Sequence, residues 1–255
     1  MGVFVRPIAI GDTLRRLVGK VLLRLPQVRQ QIEGLQRRQT GIGVPFATKI
    51  IAMGVRQIAD ISTQDWAVLQ IDVRNAFNSL DRTTMLQGAV TKALGTYNWL
   101  AWCYSTPSPL FFQGHELASS TTGVHQGDAM GPLGFAPGLD VALDCCSTEE
   151  TKIPRCAWYL DDGTLVGPQS ALLEYLEKLV PALAAIGLEV NRTKCALWGP
   201  GAQTEQDMVD RIPIDHPIKK IPVTPFGPSA GITVLGVPVD APRANARRPK
   251  NGPRR

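Results

Sequence analysis

Apolar residues in the first quarter of the chain recur at helical spacing. Leu14, Leu17, Val18, Val21, Leu22 and Leu25 predict a helix over residues 13–25, capped by Asp12 or Thr13 and stopped by Pro26. Gln27 to Arg38 predicts a second short helix with its arginines outward. Thr40-Gly41-Ile42-Gly43-Val44-Pro45 reads as a loop, and Thr48 to Ala59 as a third helix. Trp66-Ala67-Val68-Leu69-Gln70-Ile71 then changes the pattern to a buried strand that ends on Asp72. Helices are expected over Arg82–Leu94 and Tyr97–Tyr104, and a hairpin strand over Leu110–Leu117. After the glycine-rich stretch Gly123–Pro132, a long helix should run from near Met130 to Cys146. Cys156–Leu160 and Thr164–Val166 flank Asp161-Asp162-Gly163, which predicts two strands joined by a tight turn. Ser170–Ile186 is an amphipathic helix closed by Gly187. Ala196-Leu197-Trp198 and Ile232–Val239 read as short strands, with a long proline-rich loop over residues 199–230 between them. Residues 241–255, rich in Arg, Pro, Gly and Asn, read as a disordered basic tail. From Trp66 onward the succession predicts an α+β sheet with helices on one face.

Composition narrows the class. With 255 residues, 44% hydrophobic and 19% charged, the chain can bury a core in one large domain or two small ones. No apolar run approaches the roughly 18 residues of a membrane span, so no membrane partner is expected. Arg6 and Pro7 interrupt the apolar N-terminus, which makes a poor signal peptide and points to an intracellular, nuclear or cytoplasmic place. Five cysteines without a Cys-x-x-Cys pair argue against a disulfide framework or a zinc site. The net charge is +5, but residues 1–60 carry +7 and residues 241–255 carry +6, which leaves −8 in the middle. Basic ends around an acidic centre suit a polyanion held near a site that concentrates carboxylates.

Those carboxylates fall at strand ends: Ile71-Asp72-Val73, and Tyr159-Leu160-Asp161-Asp162. If the strands are neighbours, three aspartates converge and their repulsion calls for cations. All-oxygen ligation suits Mg²⁺ or Mn²⁺. Two such ions about 3.5–4 Å apart can stabilise the attacking and leaving oxygens of a phosphoryl displacement. Taken alone, Asp-Asp-Gly is an ordinary hairpin turn.

The surroundings separate the two readings. Arg6-Pro7-Ile8 stands ahead of an amphipathic helix. Gln70-Ile71-Asp72-Val73-Arg74-Asn75-Ala76-Phe77-Asn78 and Gly123-Val124-His125-Gln126-Gly127-Asp128-Ala129-Met130-Gly131-Pro132 follow in order. Then come Tyr159-Leu160-Asp161-Asp162, Gly187-Leu188-Glu189-Val190-Asn191-Arg192-Thr193-Lys194 and Val234-Leu235-Gly236-Val237. This ordered set, over roughly residues 6–240, resembles the reverse transcriptases, in particular those of non-LTR retrotransposons.

The resemblance implies a polymerase right hand: partial fingers over residues 1–65, and a ferredoxin-like antiparallel palm over 66–240 with finger-type insertions. It implies RNA-templated DNA synthesis in a mobile element, in which a primer 3′-OH attacks the α-phosphate of a dNTP across two Mg²⁺ ions. An RNA template, a DNA primer and a dNTP would be the partners. Asp72 and Asp161 would be the principal metal ligands, Asp162 a second-rank ligand, and the carbonyl of Val73 would complete the site. Lys194 would protonate the leaving pyrophosphate, and Phe77 would be the steric gate against a ribose 2′-OH. Gln126 and Gly127 would contact nucleotide and template, Arg6 the triphosphate, and Leu235 and Gly236 would form the primer grip. On the residues alone, Phe77 reads equally as core, Gln126-Gly127 as a capping turn, and Arg6 and Lys194 as solvated cations. Tyr159 is expected beside the active site, with Trp158 and Trp198 in the core.

The chain departs from the family in places. Ala129-Met130 stands where the family reads Pro-Leu, and Gly134 where a larger apolar residue is common. Five residues precede Arg6 and sixteen follow Val239, so upstream fingers and a helical thumb are expected to be absent. Two alternatives stay open. One is an RNA-dependent RNA polymerase, against which Phe77 and Tyr159 argue. The other is a domesticated or truncated fragment that binds nucleic acid without polymerising, against which the intact aspartates argue.

Overall fold

The computed structural model describes residues 8–61, 65–146, 155–199, 205–210, 212–213, 215–216 and 231–239. Arg6, the stretch 241–255 and most of the loop at 199–230 lie outside the described residues. Three helices come first: α1 (Thr13–Leu22), α2 (Pro26–Leu35) and α3 (Ala47–Ile61). Asp12 caps α1, its carboxylate accepting from the Arg15 N–H at 2.8 Å. Pro26 does not stop a helix that reaches Leu25. α1 ends at Leu22, and Pro26 opens α2, where a missing N–H costs no helical bond.

A four-stranded antiparallel sheet follows, built from β1 (Trp66–Ile71), β5 (Arg155–Tyr159), β6 (Asp162–Pro168) and β8 (Ala196–Trp198) in the order β5-β6-β1-β8. Between β1 and β5 run β2 (Val73–Arg74), α4 (Ala76–Ser79), α5 (Arg82–Lys92), α6 (Leu94–Tyr104), β3 (Ser108–Phe112), β4 (His115–Ser120) and α7 (Gly131–Cys145). α8 (Gln169–Ala185) and β7 (Glu189–Val190) join β6 to β8. The topology is the expected ferredoxin-like split βαβ.

Helices cover both faces of this sheet, not one. Ala67, Leu69 and Ile71 of β1 enter one core with Met85, Leu139 and Leu176 from α5, α7 and α8. Val68, between them, enters a second core with Ile51 and Val55 of α3. That second core also holds Ile232, Val234 and Val239, from β9 (Ile232–Val234) and β10 (Val237–Val239). A strand buried on both faces is apolar nearly throughout, which is the pattern of β1. Trp158 and Trp198 are both fully buried, as expected of core residues.

Leu110–Leu117, expected as part of a hairpin, turns at Gln113 (φ 50°) and Gly114 (φ 83°) between β3 and β4. Ile232–Val239, expected as strand throughout, is a hairpin too and turns at Leu235 (φ 49°) and Gly236 (φ 78°). Among its described residues, the stretch 199–230, expected as loop, holds a short helix, α9 (Glu205–Asp210). Among the described residues no helix is long and apolar enough to cross a membrane. All five cysteines are free.

Candidate active site

Strand register decides which carboxylates meet. β1 pairs with β6 so that Val68 faces Val166, Gln70 faces Thr164 and Ile71 faces Gly163. Asp72 is therefore level with Asp162, and alternation puts both on the side of the sheet that α3 and the β9–β10 hairpin cover. A cavity of about 250 Å³ opens there, lined by Gln70, Asp72, Asp162, Thr164, Lys194 and Leu235 among others.

The hairpin turn lies one step earlier than expected. Tyr159 pairs with Asp162, so Leu160 and Asp161 form the turn, and Asp162-Gly163 begins the return strand. Gly163 serves packing: it pairs with Trp158, and a Cβ there would stand 2.9 Å from the indole. Leu160 has φ 58°, a conformation costly for leucine. Gln39, fully buried, holds it on both sides. The Gln39 Oε1 accepts from the Leu160 N–H, and the Gln39 Nε2 donates to the Leu160 carbonyl, each at 3.1 Å. Thr40 donates to the Trp158 carbonyl from both its N–H and its hydroxyl.

Asp72 is held from beneath. Its N–H donates to Cys195 Sγ at 3.4 Å, and its carbonyl accepts from the Asn191 N–H at 2.8 Å. Burial pushes the Cys195 thiol up, which keeps it neutral. Lys194 Nζ lies 3.9 Å from Asp72 Oδ2. The other oxygen, Asp72 Oδ1, is buried without a hydrogen-bond partner. An orphaned carboxylate oxygen is costly, and a bound cation would satisfy it. Among the described residues, no three Asp, Glu, His or Cys side chains are gathered closely enough to hold an ion by themselves. The donors present fit a Mg²⁺-type site that takes one or two carboxylates from the protein and the rest of its shell from phosphate and water. Val73, in β2, pairs with Val190 and buries its side chain in the core.

The other expected residues form a second group. Phe77 is half-buried and stacks flat on Phe135 of α7, with centroids 4.7 Å apart and planes 11° apart. One face of the ring thus meets the core. Gly127 does permit a close approach, but the approaching backbone is the chain's own: a Cβ there would lie 2.4 Å from the Ala9 carbonyl. Beyond Gly127, Asp128 is buried. Its Oδ2 accepts from the Tyr104 hydroxyl at 2.7 Å and from Arg15 Nε and Nη2 at 3.1 and 2.7 Å, and its Oδ1 from the Met130 N–H at 2.9 Å. Burial alone would raise the Asp128 pKa. The Tyr104, Met130 and Arg15 donors outweigh it and hold the carboxyl below the usual range. Leu235 and Gly236 form the β9–β10 turn, and Leu235 reaches the cavity. Gln70 Nε2 ties this hairpin to β1 by donating to the Thr233 carbonyl at 2.7 Å. Gln39, Tyr104, Arg15 and Cys195 lie outside the motifs, and Asn191 lies in one that gave it no role, so none of them was marked as a partner of the site.

Comparison with known proteins bears on the family and the fold. The family model for reverse transcriptase (RNA-dependent DNA polymerase) matches residues 4–239. No curated protein matches the sequence. Among solved structures, the telomerase of Candida albicans in complex with a TWJ fragment of telomeric RNA is similar at TM-score 0.55 and 14% identity, over 89% of this chain and 37% of that one. The apo telomerase of Candida tropicalis is similar at TM-score 0.55 and 10% identity, over 94% and 41%. A form of the latter truncated from its C-terminal domain gives 0.54 and 12%, over 90% and 44%. The chain thus spans less than half the length of these neighbours, and at such identities they speak for the fold alone.

Proposed function

The chain belongs to the reverse transcriptase family, and on that premise we propose that it is an RNA-directed DNA polymerase that extends a DNA primer on an RNA template. The observation that carries this is the β1–β6 register, which ends with Ile71 opposite Gly163 and so sets Asp72 level with Asp162, beside a cavity lined by both, with Asp72 Oδ1 buried and unpartnered. In this reading β1, β5, β6 and β8 form the palm and residues up to 65 the partial fingers. The ordered sequence motifs support a mobile-element enzyme of the non-LTR retrotransposon kind.

Asp72, Asp161 and Asp162 would hold two Mg²⁺ ions, with the Val73 carbonyl beside them. Bound there, the ions would stabilise the attacking and leaving oxygens of the displacement. The protein's own groups do the rest. The β1–β6 register fixes the carboxylates against one another. Lys194 lines the same cavity and would give a proton to the departing pyrophosphate. Phe77, braced by Phe135, would be the rigid ring that a ribose 2′-OH collides with. Gln126 and Gly127 contact the nucleotide, and the Leu235-Gly236 turn overhangs the primer end.

Primer extension on an RNA template with Mg²⁺ and dNTPs tests the reading. Wild type should extend, and Asp72→Asn should abolish extension with an unfolding midpoint unchanged or raised, since it neutralises an unpartnered buried oxygen. Efficient extension with ribonucleotides would make the chain an RNA polymerase instead. RNA binding without extension would make it a fragment that has kept only the template surface.

A further inference from the structure

Asp128 is a buried carboxylate that the chemistry above does not use. With its side chain 3% exposed and that of Arg15 12%, the pair has given up most of its water. A buried ion pair is a poor route to stability, because desolvation offsets the attraction. What such a pair supplies is fixed geometry. The geometry here has one centre, the Tyr104 hydroxyl, which accepts from the His125 N–H at 3.2 Å and donates to Asp128 Oδ2 at 2.7 Å. Only Gln126 and Gly127 lie between those two anchors. The oxygen therefore closes a ring around the two residues read as the nucleotide contact.

The ring is tied outward in two directions. Asp128 Oδ1 takes the Met130 N–H and so sets the loop against the start of α7. Oδ2 takes the fork of Arg15 and so sets it against α1. The Tyr104 ring lies between two guanidiniums, Arg15 at 4.7 Å and Arg82 at 5.2 Å from its centroid. Arg82 in turn donates to the Gly123 carbonyl and the Ser120 hydroxyl, each at 3.0 Å, and so fixes the strand that leads into the loop.

We propose that Tyr104, Asp128 and Arg15 form a clasp that holds Gln126–Gly127 in its nucleotide-binding shape and so sets the affinity for the incoming dNTP. The proposal rests on the reading of Gln126–Gly127 as a nucleotide contact. The three are positioning residues, acting through the loop and not on the reacting atoms.

Tyr104→Phe removes the hydroxyl and leaves the ring between its arginines. In primer extension it should raise the KM for dNTP roughly tenfold, the worth of one charge-assisted hydrogen bond, and move kcat less than about twofold. Arg15→Lys, which keeps the charge but loses the fork, should raise KM by less. Amide hydrogen exchange gives a readout that needs no activity. In Tyr104→Phe the amides of Gln126, Gly127 and Asp128 should exchange roughly tenfold faster while those of β1 and β6 stay unchanged. Unchanged exchange at those three amides overturns the clasp. Faster exchange across the whole sheet, or kcat and KM worsening together with the unfolding midpoint, shows a merely structural role and overturns it too. If wild type extends no primer, the polymerase reading fails, while exchange still decides whether the clasp holds the loop.

Discussion

Leu160 sits in a backbone conformation that leucine avoids, one residue before the Asp161-Asp162 pair. The local cost is of order 1–3 kcal/mol, and something outside the turn has to hold it. Gln39 does so from 121 residues away, its one amide accepting from the Leu160 N–H and donating to the Leu160 carbonyl, on the two peptides that flank the residue. Gln39→Leu keeps the volume and removes both bonds. It should let the turn relax and move the carboxylates, lowering kcat by roughly tenfold to a hundredfold while the KM for dNTP stays within about threefold. That is the opposite split from the Tyr104 clasp, so steady-state kinetics on the two variants separates a residue that aims the catalytic carboxylates from one that shapes the nucleotide loop. A Gln39→Leu enzyme with raised KM and normal kcat would show that the turn keeps its shape unaided.

At the level of elements, the sheet shows why some of the structure was legible and some was not. Helices α1–α3 and α5–α8 have ends within three residues of those expected, and in α1 and α8 the apolar residues repeat at helical spacing. β1 was legible as a buried strand and β8 as a short one, while the second covered face of the sheet was not legible. The turn at Gln113-Gly114 and the whole hairpin at Leu235-Gly236 were not either, because glutamine and leucine at positive φ carry no turn signature. The glycine after Asp161-Asp162 misled for a related reason: it looked like a turn glycine and is a packing glycine. Gly163→Ala places a methyl 2.9 Å from a Trp158 ring that is fully buried and cannot swing away. It should destabilise the fold by about 1–3 kcal/mol in urea titration. A loss under about 0.5 kcal/mol would mean the indole has room to shift. Of the candidate site, the aspartates, Lys194 and Leu235 could be named from motifs. Their supports could not, since Gln39, Tyr104 and Arg15 reach the site from separate helices and loops that only the fold brings together.

Across the whole molecule, the placement of cations decides where a polyanion can lie. Several of the basic residues near the N-terminus are already used. Arg15 is spent on Asp128, and Arg38 is paired with Asp140 and Asp144, which also hold Lys92. These pairs pin α1 to the loop ahead of α7, and both α5 and the turn after α2 to α7, and leave little charge for a ligand. Arg16, Lys20, Arg24, Arg29, Arg37, Lys49 and Arg56 are exposed, on or beside α1, α2 and α3. If an RNA template runs over these helices into the Asp72–Asp162 cleft, each phosphate neutralised steepens the salt dependence of binding by about 0.7 in log–log slope for a single strand. Replacing Arg24, Arg29 and Arg37 together by glutamine should then flatten the slope by about 2 between 50 and 200 mM salt, with little change in the unfolding midpoint because all three are solvated. The same substitution at the paired Arg38 should lower the midpoint and leave the slope nearly as it was. A triple variant with an unaltered slope would put the template elsewhere, and the exposed arginines would be a solvated face of the fold and nothing more.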